Sequence, residues 1–215
     1  MKRILIVHRY FWPENISNLP LMLADIVDYH IKNNEEVHLC CGSSSDFISV
    51  REKRFKKKVN INSFRSDLDR NHNIFIRLIN ILRLLILSLR TINKYNFDIL
   101  YIVSYPPFLS FLILIYKKIF NKKYNIIFYI QDNFSYRFRN QFIKFFYNYT
   151  LKKNITESLF SIVISDSMKK FIIDNDKKNI LLKRKLFVLR NYSVDKVLEI
   201  NNEKDIDIIY AGNHG

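Results

Sequence analysis

The sequence predicts an α/β protein built on a doubly wound parallel sheet. Short apolar runs rich in β-branched residues alternate with longer segments of helical periodicity, the rhythm of repeated strand–helix–strand units. The first run, residues 3–7, is apolar almost throughout, as in a strand covered on both faces. The runs end in strand-breaking or polar residues: His8-Arg9, Gly42 with three serines, Ser104-Tyr105-Pro106-Pro107 and Gln131-Asp132.

In chain order, a loop follows the first strand and leads into a helix over residues 19–33, then a second strand at 36–41 closed by Gly42. A polar, basic stretch precedes a third strand at 59–64, and a long helix spans 74–95. The fourth strand is 98–103, and the two prolines break the chain before a helix at 108–120. A fifth strand at 124–130, a helix at 139–157, a sixth strand at 160–165, a short helix from Asp166 and a last strand at 186–189 complete the unit. Residues 191–205 have the polarity of a linker. The final apolar run, with Gly212 and Gly215, reads as a strand passing into a phosphate-facing loop. The expected organisation is one domain over 1–190, a linker over 191–205 and, over 206–215, the opening strand of a second domain. Such a strand without its own sheet exposes apolar surface and unpaired backbone groups, which favours partner pairing.

Composition narrows the function classes. Hydrophobic content of 48 % with 26 % charged residues is globular, and the net charge is +15. A basic balance points to nucleic acid, an anionic membrane or phosphorylated substrates. The lysines fall in short, scattered clusters without an RNA-binding signature or zinc-finger spacing, which makes nucleic acid the weaker choice. Cys40 and Cys41 are strand neighbours pointing to opposite faces, poorly placed to bond to each other and in keeping with a reduced, cytoplasmic compartment. Lys2-Arg3 and the short apolar run after them do not make a signal peptide. No stretch reaches the ~18 uncharged residues of a spanning helix, so a soluble or peripheral protein is expected.

The long helix needs a wheel. At roughly 100° per residue, Ile74, Phe75, Leu78, Ile81, Leu82, Leu85, Leu89 and Ile92 cluster on one side. Arg77, Asn80, Arg83, Ser88, Arg90 and Thr91 lie opposite, with Ile76, Leu84 and Leu87 among them. One reading is an interfacial helix in which Arg77, Arg83, Leu84, Leu87 and Arg90 contact an anionic membrane. The other is a deeply buried helix with its arginines at the rim.

Ligands of open parallel sheets sit beyond the carboxyl ends of the strands. That rule selects His8, Tyr10, Phe11, Trp12 and Glu14 after the first strand, Ser104 and Tyr105 after the fourth, and Gln131 and Asp132 after the fifth. Aromatic faces beside a carboxylate suit sugar recognition, or alternatively pack on a neighbouring helix. Asp132 is placed either to act as a general base and orient a hydroxyl, or to cap the following turn. A phosphate loop, a nucleophile elbow, a zinc-ligand motif and a dinucleotide fingerprint are missing, and metal catalysis has no support.

Taken in order, these pieces resemble the N-terminal half of a GT-B glycosyltransferase of the large retaining family-four group, especially its bacterial capsule and O-antigen members. The matching segments are Ile4-Leu-Ile-Val-His-Arg-Tyr-Phe-Trp-Pro-Glu14, Leu23-Ala-Asp25, Glu36-Val-His-Leu-Cys-Cys-Gly42 and Asp98-Ile-Leu-Tyr-Ile-Val-Ser-Tyr-Pro-Pro107. Gln131-Asp132, Ile162-Val-Ile-Ser165 with Met168, Arg190-Asn191 with Asp195, and Tyr210-Ala-Gly-Asn-His-Gly215 follow. The resemblance implies two Rossmann-like domains facing a cleft, the first receiving the acceptor and the second holding a nucleotide sugar. It places His8, Tyr10, Phe11, Trp12, Glu14, Ser104, Tyr105 and Gln131 on the acceptor side, with Asp132 orienting the acceptor. Gly212, Asn213 and Gly215 would approach the donor diphosphate.

The chain departs from the family pattern at two points. Asn15-Ile-Ser-Asn18 stands where many members carry a glycine pair, and the Glu-x7-Glu pair of the donor domain is not in the sequence. The expectation is therefore the acceptor half of a transferase working at the inner face of the cell membrane in surface-polysaccharide assembly, with little turnover by itself. It would use a nucleotide sugar as co-substrate, no other cofactor, and a lipid-linked or saccharide acceptor. The competing expectation is a non-catalytic subunit that anchors a separate donor-binding partner to the membrane.

Overall fold

The computed structural model describes residues 1–9, 11, 18–43, 53–55, 58–65, 74–132, 135, 138–175 and 180–190. Among these described residues, seven parallel strands form one open sheet in the order β3-β2-β1-β4-β5-β6-β7. They are β1 (Arg3–Val7), β2 (Glu36–Ser43), β3 (Val59–Arg65), β4 (Ile99–Val103), β5 (Asn125–Ile130), β6 (Phe160–Val163) and β7 (Leu186–Val188). The helices are α1 (Asn18–Lys32), α2 (Ile74–Lys94), α3 (Leu109–Ile119), α4 (Gln141–Glu157), α5 (Asp166–Asp174) and α6 (Ile180–Lys185). This is the expected doubly wound, Rossmann-like α/β sheet.

Strand β1 is central. Ile4 lies between Val37 and Ile99, and Val7 between Cys40 and Ile102. Ile4, Leu5 and Ile6 are fully buried, which explains why this strand carries no alternation of polar residues. The chain order reverses at β1, with β2 on one side and β4 on the other, so the topological switch point lies between β1 and β4.

The two faces of the sheet have separate cores. On one, Leu19, Met22, Leu23, Ala24 and Val27 of α1 pack with Phe11 and Phe55 over Ile4, Ile6, Val37 and Leu39. Arg54 fastens residues 53–55 to α1, reaching Asp25 and Asp28 at 2.9 Å each. His30 joins α1 to the sheet: its Nδ1 meets the Glu35 carboxylate and its Nε2 lies 3.1 Å from the Tyr101 hydroxyl. On the other face, Leu84 and Ile92 of α2, Ile113 and Leu114 of α3, and Tyr147, Leu151 and Ile155 of α4 cover Leu5, Val7, Leu100, Ile102 and Phe128. Cys40 belongs to this core and Cys41 to the first; both are buried and in no disulfide, on opposite faces as their adjacency requires.

Helix α2 overturns the expected wheel. Asn80, Leu84, Ser88 and Thr91 face the core, while Phe75, Leu78, Ile79, Leu82 and Ile86 face outward. Leu84 is 0 % exposed and Leu87 packs on the core, so these two leucines do not form an outward membrane contact. The physical reason lies in the helix backbone. Ser88 donates to the Leu84 carbonyl at 2.7 Å and Thr91 to the Leu87 carbonyl at 2.8 Å. Hydroxyls satisfied within their own helix can be buried at little cost. Arg83 and Arg90 are exposed; the Arg77 side chain lies outside the described residues.

Smaller differences concern boundaries. Strand β2 continues through Gly42 to Ser43, paired with Phe64 and Arg65 of β3. Helix α6, whose six residues run directly into β7, was not foreseen. Residues 191–215, on which the linker and second-domain expectations fall, lie outside the described residues.

Candidate functional site

The site expected from sequence lies at the carboxyl ends of β1, β4 and β5. Hydrogen bonds tie the tip of β1 to β2 and the tip of β4 to β5. The His8 amide donates to the Cys40 carbonyl at 3.1 Å and the Gly42 amide to the Arg9 carbonyl at 3.1 Å. The Ser104 amide donates to the Tyr129 carbonyl at 2.8 Å, and the Gln131 amide reaches Ser104 Oγ at 3.3 Å. Ser104 thus links the ends of β4 and β5 through both its backbone and its side chain. His8 and Ser104 are buried, whereas Tyr105, Gln131 and Asp132 are half-buried at the rim.

Arg9 is the residue that sequence reasoning left off the candidate list. It is only 5 % exposed, an unusual state for a guanidinium. Its Nη1 donates to the Tyr105 hydroxyl at 3.1 Å, and its charge lies 5.9 Å from the centre of that ring. The available signal was position, because Arg9 is the second residue beyond a strand at the switch point. The number of arginines elsewhere in the chain concealed it.

Helix α3 begins beside these residues. Phe108 occupies its N-cap position with φ of 69°, and no side chain caps the first turn. Because α3 follows β4 after a few residues, its positive dipole end lies toward the carboxyl end of the sheet, with the Leu109 amide bonded to the Pro106 carbonyl at 3.4 Å. At the start of α4, Asn140 accepts from the Phe142 and Ile143 amides. The turn directly after Asp132, which its carboxylate was alternatively expected to cap, lies largely outside the described residues. Asp132 itself is half-buried at the rim.

Phe11 is placed differently from the expectation. It is fully buried and packs on Phe55 with ring centroids 6.3 Å apart, so it supports the loop and offers no face to a ligand. Tyr10, Trp12 and Glu14, and the donor-side Gly212, Asn213 and Gly215, lie outside the described residues. Beyond β6 and β7, Asp166 and Arg190 pair at 2.7 Å on the surface. That bond holds the Asp166 carboxyl below its ordinary value.

A cavity of about 420 Å³ opens at the opposite, amino end of the sheet, between Ile92, Tyr95, Phe97, Phe120 and Tyr124. Its lining holds Lys122 and Lys123 but no carboxylate, serine or cysteine, so size alone does not make it the reactive site. Among the described residues no group of three His, Cys, Asp or Glu side chains is arranged to hold a metal ion. No known protein family matches the chain, and no curated protein does. The reading of the site rests on its own geometry and on the resemblance in the sequence.

Proposed function

We propose that this chain forms the acceptor-binding side of a glycosyltransferase that passes a sugar from a nucleotide donor to a lipid-linked or saccharide acceptor. Surface-polysaccharide assembly is the setting that the sequence resemblance suggests. The observation that carries the reading is the convergence of Arg9, Ser104, Tyr105, Gln131 and Asp132 at three adjacent strand tips beside the switch point.

The groups divide the recognition between them. The Arg9 guanidinium at the strand tips suits a phosphate or carboxylate on the acceptor. Gln131 and Asp132 suit hydroxyls, and Asp132 is assigned to orient the attacking one. In the transfer, the acceptor oxygen bonds to the anomeric carbon as the bond to the nucleotide diphosphate breaks, and the hydroxyl proton leaves with that diphosphate or to a nearby base. The donor would be held by a second Rossmann-like domain, with Gly212, Asn213 and Gly215 beside its diphosphate.

Calorimetric titration with a short-chain polyprenyl-phosphate-linked sugar tests the assignment. Saturable binding is expected, weakened about tenfold or more in Arg9→Met, where a charge-assisted contact is lost. Circular dichroism would verify that the variant folds, and Tyr105→Phe provides a gentler second case. Binding of nucleotide sugars with no response to the acceptor would contradict the reading.

A further inference from the structure

Helices α2, α3 and α4 lie side by side on one face of the sheet, and their outward surfaces are apolar. Phe75, Leu78, Ile79, Leu82 and Ile86 form a row on α2 at helical spacing, and Leu112, Ile115 and Ile119 form one on α3. On α4, Phe142 is 77 % exposed and Phe145 71 %, with Phe146 and Tyr149 beside them. Soluble surfaces rarely leave such rows uncovered.

Charge on the same helices is one-sided. Their sequences contain nine lysines and arginines and a single carboxylate, Glu157, which is itself paired with Lys118. The distribution is also graded along the helices. Each helix runs antiparallel to the strands it connects, so helix starts lie at the carboxyl end of the sheet, where the candidate site is. Phe75, Leu78, Ile79, Leu82, Leu112, Phe142 and Phe145 lie toward that end with three of the nine cations, Arg77, Arg83 and Lys144. The other six, Arg90, Lys94, Lys117, Lys118, Lys152 and Lys153, lie toward the opposite end with Ile119.

With 21 residues, α2 is about 31 Å long, somewhat longer than the eight-residue β2 beneath it, which spans about 26 Å. Near the start of α2, residues 75, 76, 78 and 79 are exposed, whereas Asn80 and Leu84 turn to the core.

We propose that this three-helix face docks on an anionic lipid bilayer in a tilted pose. The apolar rim at the site end enters the acyl boundary, while the basic end meets lipid phosphates. Charge complementarity selects the bilayer over a second protein: a face with one carboxylate among nine cations repels a copy of itself, and long flexible cations over aromatic rows match a headgroup layer. The tilt sets Arg9, Tyr105 and Gln131 beside the membrane surface, where a lipid-linked acceptor presents its phosphate and sugar; that last consequence rests on the sugar-transfer reading, whereas docking does not.

The test uses the full chain with vesicles of phosphatidylcholine and phosphatidylglycerol in equal parts. Ile79→Cys, Phe145→Cys and Lys94→Cys each receive an environment-sensitive fluorophore under native conditions, where Cys40 and Cys41 are buried. Labels at 79 and 145 are expected to shift to the blue and be quenched by bromolipids, while the label at 94 stays in a polar setting. Phe142→Ser with Phe145→Ser should weaken co-sedimentation at least about tenfold, since both positions are exposed and the fold does not depend on them. Lys152→Glu with Lys153→Glu should weaken it most at low salt. Equal shifts at all three labels would overturn the tilted pose. Absence of vesicle binding, or a blue shift without vesicles that follows protein concentration in the ultracentrifuge, would overturn the bilayer as occupant. Vesicle docking in a protein that ignores acceptor sugars would support this inference and remove the sugar-transfer reading.

Discussion

Tyr124 carries a buried hydroxyl without a hydrogen-bond partner among the described residues, while the Lys117 ammonium lies 5.3 Å from the centre of its ring. Burial of an unsatisfied donor costs stability, so Tyr124→Phe should raise the free energy of unfolding by about 1 kcal/mol in a urea titration. The inverted wheel of α2 gives a second residue-scale prediction. Leu84→Ala should cost roughly 2–5 kcal/mol through a core cavity, and Leu82→Ala, at a position 55 % exposed, less than about 1 kcal/mol. Equal costs would mean that the helix presents a different side to the sheet. Leu84 was misread because Asn80, Ser88 and Thr91 look like solvent-facing residues when counted by polarity alone. Local hydroxyl bonds to the helix backbone, visible only in coordinates, let two of the three go inside. Phe11 follows the second of the two readings open for its loop, packing beside α1, because an aromatic flanked by Tyr10 and Trp12 gives no sequence signal of whether its ring turns toward a ligand or toward the core.

At the scale of elements, the strands were legible because parallel strands covered on both faces need continuous apolar runs. Six of the strands fall within a few residues of expectation, and β3 was recognised despite its polar Asn60, Asn62 and Ser63. Helix α6 left no signal, since Leu181 and Leu182 are too few to show a period before the basic residues that lead into β7. Capping gives a prediction here. Asn140 accepts from two amides at the start of α4, and Asn140→Ala should cost about 1 kcal/mol in thermal or chemical unfolding. An unchanged midpoint would mean that another group takes over the cap.

The whole molecule should be sensitive to alkaline pH. Burial pushes the Cys40 thiol up from 9.0 to about 12 and the Tyr101 hydroxyl up from 10.0 to about 12, with Glu35 and Tyr29 adding to the latter. Each acid holds its proton more tightly when folded, so its contribution is complete below its unfolded value and is lost as pH rises toward 12. Denaturation midpoints should therefore fall between pH 9 and 12. At the other extreme, hydrogen bonds from Arg3 and then His38 hold the Glu36 carboxyl below 4.5, and that contribution disappears as acid protonates it. Thiol reagents at neutral pH should modify neither cysteine until the protein unfolds, because both are buried on opposite faces of β2.

The two-core sheet fixes where the strand tips converge, and the functional reading depends on those tips as a single recognition surface. Its most direct measurement is an amide chemical-shift map of the labelled protein titrated with the polyprenyl-phosphate-linked sugar. The account predicts saturable shifts confined to His8, Arg9, Ser104, Tyr105, Gln131, Asp132 and their immediate neighbours. Shifts centred instead on Tyr95, Phe120 and Tyr124 around the cavity at the other end of the sheet, or none at saturating sugar, would contradict it.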